Sequence, residues 1–262
     1  DVCLEDIAHS LSMQCRYNGH CEQFYSVAEH SVIVAVTVAC KNLLRSWLSE
    51  IKYAPGEDAL HNARNLMGKL FVKKPEPDLA IHKFIASASW QKFTAALANL
   101  SEYADPNFGL LDALEFFMRH RSMLDSVALA EVQAALMHDG TEAYLKDLPS
   151  PIKRTMPDYK AIETNVEKVV FERFGLSRML PLATNVHFAD SEVLFAEKDK
   201  LLAHRIVGWG LQVVRHEQIG IIASTLPIPC LSWQGAKKLF LRAAEIVEIT
   251  AIDSKEIATG LA

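Results

Sequence analysis

Apolar positions recur with a helical period along most of the chain. Over 26–50 (SVAEHSVIVAVTVACKNLLRSWLSE) they first run almost all round and then retreat to one face. That is the pattern of a helix whose first turns are sunk in a core. Its start is marked by Ser26 and, three residues on, Glu29, which together read as a capping box with Ser26 as N-cap. A second segment, 122–138, opens on Ser122 and Asp125 in a similar way. It runs through Val127, Ala130, Leu136 and Met137 to His138, and Gly140 marks its break. Further helices are expected at 157–175, 189–206 and 233–249. Strand signals are few. The stretch 218–226 (QIGIIASTL) suits a short strand or a buried helix, and the helical context favours helix or loop. Segment 51–121 differs in character. Pro55-Gly56, Lys73, Lys74, Pro75, Glu76, Pro77 and Pro106 punctuate amphipathic stretches at 58–71 and 79–100, which reads as helices joined by turns. The expected fold class is all-α.

Length and composition narrow the picture. The 262 residues, half of them hydrophobic, suit one large domain or one domain with an insertion. A net charge of −5 argues against a nucleic-acid polymer as partner, which would want a basic face, but leaves room for a local basic pocket. The five cysteines are odd in number and form no C-x-x-C pair, so neither a disulfide framework nor a thiolate zinc site is expected. No apolar run reaches membrane-spanning length without a charge, and no charged stretch precedes an apolar core at the start. A cytoplasmic, reducing location with no membrane partner is the expectation.

Candidate chemistry begins with the pair His138-Asp139 at the end of an apolar helix. Imidazole and carboxylate both ligate first-row divalent metals. Neighbouring residues on a helix point about 100° apart, so both reach one ion only where the backbone turns, as it can at Gly140. The dipeptide alone equally fits a capping Asp beside a partly buried His. Asp190 shares a helical face with Val193, Leu194 and Leu201, where an unpaired carboxylate is costly to bury. A metal ion or a buried Arg or Lys would satisfy it equally well. His30 lies in the first turn of the apolar helix, where a hydrogen-bonded core histidine is the commoner case. The three together, each at the edge of an apolar helix, favour a metal.

In that order, His…His-Asp…Asp, the chain resembles the HD superfamily of metal-dependent phosphohydrolases, nearest to the small HD nucleotidases and deoxynucleotide phosphohydrolases of bacteria and phages. The resemblance is carried by 5–36 (EDIAHSLSMQCRYNGHCEQFYSVAEHSVIVAV), by 135–153 (ALMHDGTEAYLKDLPSPIK) and by 188–202 (FADSEVLFAEKDKLL), with a weaker match over 231–247. It implies a helical bundle around one divalent transition metal (Zn, Mn, Co, Fe or Ni) held by His30, His138, Asp139 and Asp190. It also implies hydrolysis of a phosphate ester or phosphoanhydride of a small-molecule nucleotide. A 5′-nucleotidase acting on (deoxy)nucleoside monophosphates is the first expectation and a (deoxy)nucleoside triphosphate hydrolase the second. A non-catalytic nucleotide-binding module is a third, disfavoured because no ligand is missing.

The same resemblance assigns roles to further residues. Glu142 matches the acid of an H-D-x-x-E pattern and becomes the proton-transfer group. Without the resemblance it would pass for an exposed helix glutamate. Asp147 heads the stiff segment DLPSPIK, and the matching residue of similar nucleotidases approaches the attacking water or the sugar hydroxyls. Lys153 ends that motif and can meet a phosphate. Arg16, followed by the aromatic Tyr17, matches a phosphate-binding pair, and Asn18 and His20 become candidates for sugar or base contact. The chain departs from the small members in the interval between His30 and His138, which holds some 70 extra residues within about 41–122. Connections between packed helices are short as a rule, so one HD domain spanning 1–262 with a helical insertion there is expected. A cap over the site or a contact in a homo-oligomer would suit it. Only His187 lies between the His-Asp pair and Asp190, which favours one metal over two.

Overall fold

The computed structural model describes residues 2–50, 106–146, 148–202, 222–223 and 226–252. Of the interpretable residues, 71% are helical, and no strand or sheet forms among them, so the all-α expectation holds. The helices are α1 (Leu4–Met13), α2 (Val27–Glu50), α3 (Pro106–Arg119), α4 (Ala128–Met137), α5 (Glu142–Leu145), α6 (Ser150–Lys153), α7 (Pro157–Arg173), α8 (Thr184–Leu201) and α9 (Trp233–Ile246), with single 3-10 turns at Arg16–Gly19, Arg121–Met123 and Ser177–Met179. No helix among the described residues is long and apolar enough to cross a membrane.

α2 is the mast of the fold. It packs on α1, α3, α4, α8 and α9. Val32, Val34, Ala35, Val36 and Ala39 are all fully buried, which explains why the sequence is apolar all round at this point. Each such side chain contributes roughly 1.5–3 kcal/mol for valine-sized groups. Only half of the expected capping box forms. Ser26 Oγ accepts the Glu29 backbone N–H at 3.1 Å. The Glu29 carboxylate does not turn back to Ser26. It accepts the backbone N–H groups of Cys230 and Leu231 at 2.7 and 3.0 Å, which fixes the chain leading into α9.

Other boundaries shift for local reasons. The helix expected at 122–138 starts at Ala128, because Ser122 lies in a 3-10 turn and Leu124 is extended. Asp125 is the cap, its Oδ1 accepting from the N–H groups of Val127 and Ala128. α8 begins at Thr184, earlier than the 189 expected. Ile222 and Ala223 are helical and buried, and the rest of 218–225 lies outside the described residues. Both ends of the 41–122 interval belong to the body of the fold. Residues 41–50 continue α2, and α3 buries Leu110, Leu114 and Phe117 in the core. Residues 51–105 lie outside the described residues, and with them His61, His82 and the aromatic residues Phe71, Phe84, Trp90 and Phe93. All five cysteines are free thiols.

Candidate metal centre

Three helices converge on one point. α2 brings His30 from its first turn, the turn after α4 brings His138 and Asp139, and α8 brings Asp190 from its second turn. One nitrogen from each imidazole and one Asp139 oxygen lie within 4.8 Å of one another, a spacing that can hold a metal ion. Asp190 borders this group of three. Its Oδ1 is 3.1 Å from His30 Nε2 and 3.9 Å from His138 Nε2. Asp139 approaches both rings as well, at 3.8 Å from His30 Nε2 and 3.3 Å from His138 Nε2.

The outer nitrogens are engaged elsewhere. His30 Nδ1 is 2.6 Å from Glu197 Oε1, and His138 Nδ1 is 2.8 Å from the Ala135 carbonyl oxygen. Both rings therefore turn Nε2 inward, where each is buried among carboxylate oxygens. Two imidazole nitrogens turned toward each other across carboxylates form a donor set that a cation can hold in place of protons. The mixed nitrogen and oxygen donor set suits a first-row transition metal better than magnesium or calcium. The residues present thus fit such an ion.

The electrostatics of the cluster also favour positive charge at its centre. Burial alone would raise the Glu197 carboxyl, yet Arg16 and His30 beside it hold it down to about 2. Burial and Arg16 work against a charged His30, but Glu197 and Asp190 outweigh them and lift it to about 9. Burial would likewise raise Asp190, and the two histidines hold it well below the usual carboxylate range. A site that draws positive charge onto a fully buried imidazole is one that favours a cation.

Arg16 joins the cluster from the loop before α2. Its Nη1 donates to Asp139 Oδ2 at 3.4 Å, and its Nε is 3.3 Å from Glu197 Oε2. The loop is pinned at its base by an antiparallel bridge between Cys15 and Ser26 and by Arg16 N–H donating to the Tyr25 carbonyl oxygen. Tyr17 and Asn18 adopt left-handed backbone conformations there. Tyr17 turns inward and donates to Glu197 Oε2 at 2.8 Å. Asn18 and His20 are exposed and make no side-chain contact with the cluster among the described residues.

Glu142 begins α5 directly after the His138-Asp139 turn, its backbone N–H donating to the Asp139 carbonyl oxygen at 2.9 Å. Its buried carboxylate meets Lys153 Nζ at 3.5 Å, and that lysine also holds Glu163 at 2.7 Å. Two candidates, Glu142 and Lys153, are thus brought together with Glu163. Asp147 lies outside the described residues. His187 is exposed on α8, and His120 directs Nδ1 at the Phe116 carbonyl oxygen, so neither joins the centre.

Sequence reasoning missed Glu197 and Tyr25. Glu197 stands seven residues after Asp190, two helical turns along the same face, and that spacing was the available signal. No protein-family model matches the chain. A relative in Escherichia coli (strain K12), "Uncharacterized protein YfdR", is 26% identical over 201 residues, which is 77% of this chain and 62% of the relative. The chain therefore spans less than two thirds of that relative's length.

Proposed function

We propose that this chain is a metal-dependent phosphohydrolase of nucleotides, with (deoxy)nucleoside monophosphates as first substrates. The observation that carries the reading is the pair of buried, inward-turned Nε2 atoms of His30 and His138 facing Asp139. Asp190, at 3.1 Å from His30, completes the proposed ligand set. A divalent ion, when bound, lowers the pKa of water toward neutrality and offsets the charge of a phosphoryl group.

The chain's own residues supply the rest. Arg16 stands beside Asp139 with a guanidinium suited to phosphoryl oxygens, and positive charge held there favours the anionic substrate over water. Glu142 starts from the carbonyl of a proposed metal ligand, and its buried carboxyl can hold a proton for the departing alkoxide. Lys153 sits against Glu142 and can trade that partner for a phosphate oxygen. Asp147 is assigned to substrate positioning on the resemblance alone.

The test is a panel of nucleoside mono-, di- and triphosphates incubated with metal-stripped protein and added Mn, Co or Zn. We expect metal-dependent release of phosphate, abolished in His138→Ala and reduced about 100- to 10,000-fold in kcat in Glu142→Gln. Release of tripolyphosphate instead would move the cut to the triphosphate. No hydrolysis of any panel member by folded, metal-loaded protein would overturn the reading.

A further inference from the structure

The Glu197 carboxylate is fully buried, and four side chains from the single stretch 16–30 converge on it. Its two oxygens divide the partners. Oε1 takes His30 Nδ1 at 2.6 Å and the Tyr25 hydroxyl at 2.6 Å. Oε2 takes the Tyr17 hydroxyl at 2.8 Å and faces Arg16 Nε at 3.3 Å. One oxygen thus serves a proposed metal ligand, and the other serves the one arginine that touches Asp139 in the described cluster.

We propose that Glu197 is a positioning residue that couples cation binding to anion binding. Through Oε1 it keeps the proton of His30 on Nδ1, leaving the Nε2 lone pair for the cation. Through Oε2 it orients Arg16 for an anion bound beside that cation. The proposal rests on the metal-binding reading of His30, His138 and Asp139.

Hydrogen-bond arithmetic makes it specific. A carboxylate offers only acceptors, so both sides are served at once. A glutamine offers one acceptor oxygen and one donor nitrogen. If its oxygen faces His30, its NH2 group meets Arg16 donor to donor, and the arginine loses its support. If its oxygen faces Arg16, its NH2 group donates to His30 Nδ1 and drives the proton to Nε2, where it blocks a metal. Glu197→Gln must therefore fail on one side or the other, although the side chain keeps its size. A carboxylate that merely filled space or closed the core would show neither pattern.

The probes are Co2+ alone, followed by inorganic phosphate on cobalt-loaded protein, each titrated by visible absorbance and calorimetry. In the wild-type protein we expect cobalt to bind and phosphate to bind more tightly once cobalt is present. In Glu197→Gln we expect cobalt affinity to fall about 10- to 100-fold, or, with cobalt affinity kept, phosphate affinity on the loaded protein to fall at least tenfold. Unchanged values for both in the folded variant would overturn the proposal while leaving the metal site standing. Absence of cobalt binding to the wild-type chain would instead overturn the metal reading, and the proposal with it. A second measurement needs no variant. Nitrogen-15 NMR of the histidines in zinc-loaded wild-type protein should show His30 protonated at Nδ1, and protonation at Nε2 would overturn the proposal even if Glu197→Gln does not fold.

Discussion

At the scale of single residues, burial decides more than residue type. Cys40 faces the core from α2, and burial pushes its thiol up to about 12 from an ordinary 9.0. A raised acid in the folded state means that the native protein holds the proton where the unfolded chain has lost it. The stability tied to Cys40 is therefore fully present below about pH 9 and lost as pH rises through 12. Urea unfolding at pH 8 and pH 10 should show a loss of about 1 kcal/mol attributable to this thiol. Cys40→Ala should flatten the pH slope by that amount, and an unchanged slope would trace the alkaline loss to other groups. Gly140 shows the limits of reading one position at a time. The sequence marks it as a helix stop, but what the structure needs there is space. A Cβ would sit 2.9 Å from the Met137 carbonyl oxygen and 3.3 Å from Val170 Cγ1, so the glycine permits the close approach of α7. Glu197 was illegible for a related reason. A helix glutamate looks solvent-exposed until the tyrosines and arginine that surround it are brought in from residues 16 to 25.

At the scale of elements, the helices were legible because their apolar period is long and regular, and their ends were not. Ends depend on which polar group caps which N–H, and Glu29 caps a segment two hundred residues away in preference to its own helix. Polar groups also join helices to one another. Lys41 on α2 pairs with Glu192 on α8, both side chains being under a tenth exposed. Burial pulls the lysine down and pushes the glutamate up, and each is the other's compensation. Beside them Arg45 donates to Asn185, Asn185 to Glu131, and Asn42 to Glu131, so that α2, α4 and α8 share one polar seam. Removing a single partner of such a pair strands a charge. Glu192→Ala should lower the unfolding free energy by about 3 kcal/mol, and the double replacement Lys41→Met with Glu192→Leu should recover most of it. Denaturant titration of the wild-type protein and these two variants measures this directly. A cost below about 1 kcal/mol for the single variant would mean that the lysine reaches water by another path.

At the scale of the whole molecule, the candidate ligands tie together elements that the chain separates widely. A bound ion is then a staple between α2, the turn after α4, and α8. An ion that binds only the folded state at a hundred times its dissociation constant adds about 2.7 kcal/mol, which for a chain of this size means a rise in Tm of several degrees. Thermal melts with and without Co2+ should show that rise in the wild-type protein and not in His138→Ala. An equal rise in both would place the ion elsewhere. The order of the candidate ligands is a pattern along the chain, and the meeting of His30, His138 and Asp139 was legible for that reason. The buried support around it was not, because it exists only after residues far apart have met. The same arrangement has a consequence during synthesis. The first turns of α2, apolar on nearly every side, emerge well before α8 and α9, which help to enclose them, and before the Glu197 carboxylate that meets His30. Until α8 and α9 leave the ribosome, α2 is a sticky rod without its sheath, and it is the segment that a chaperone would hold.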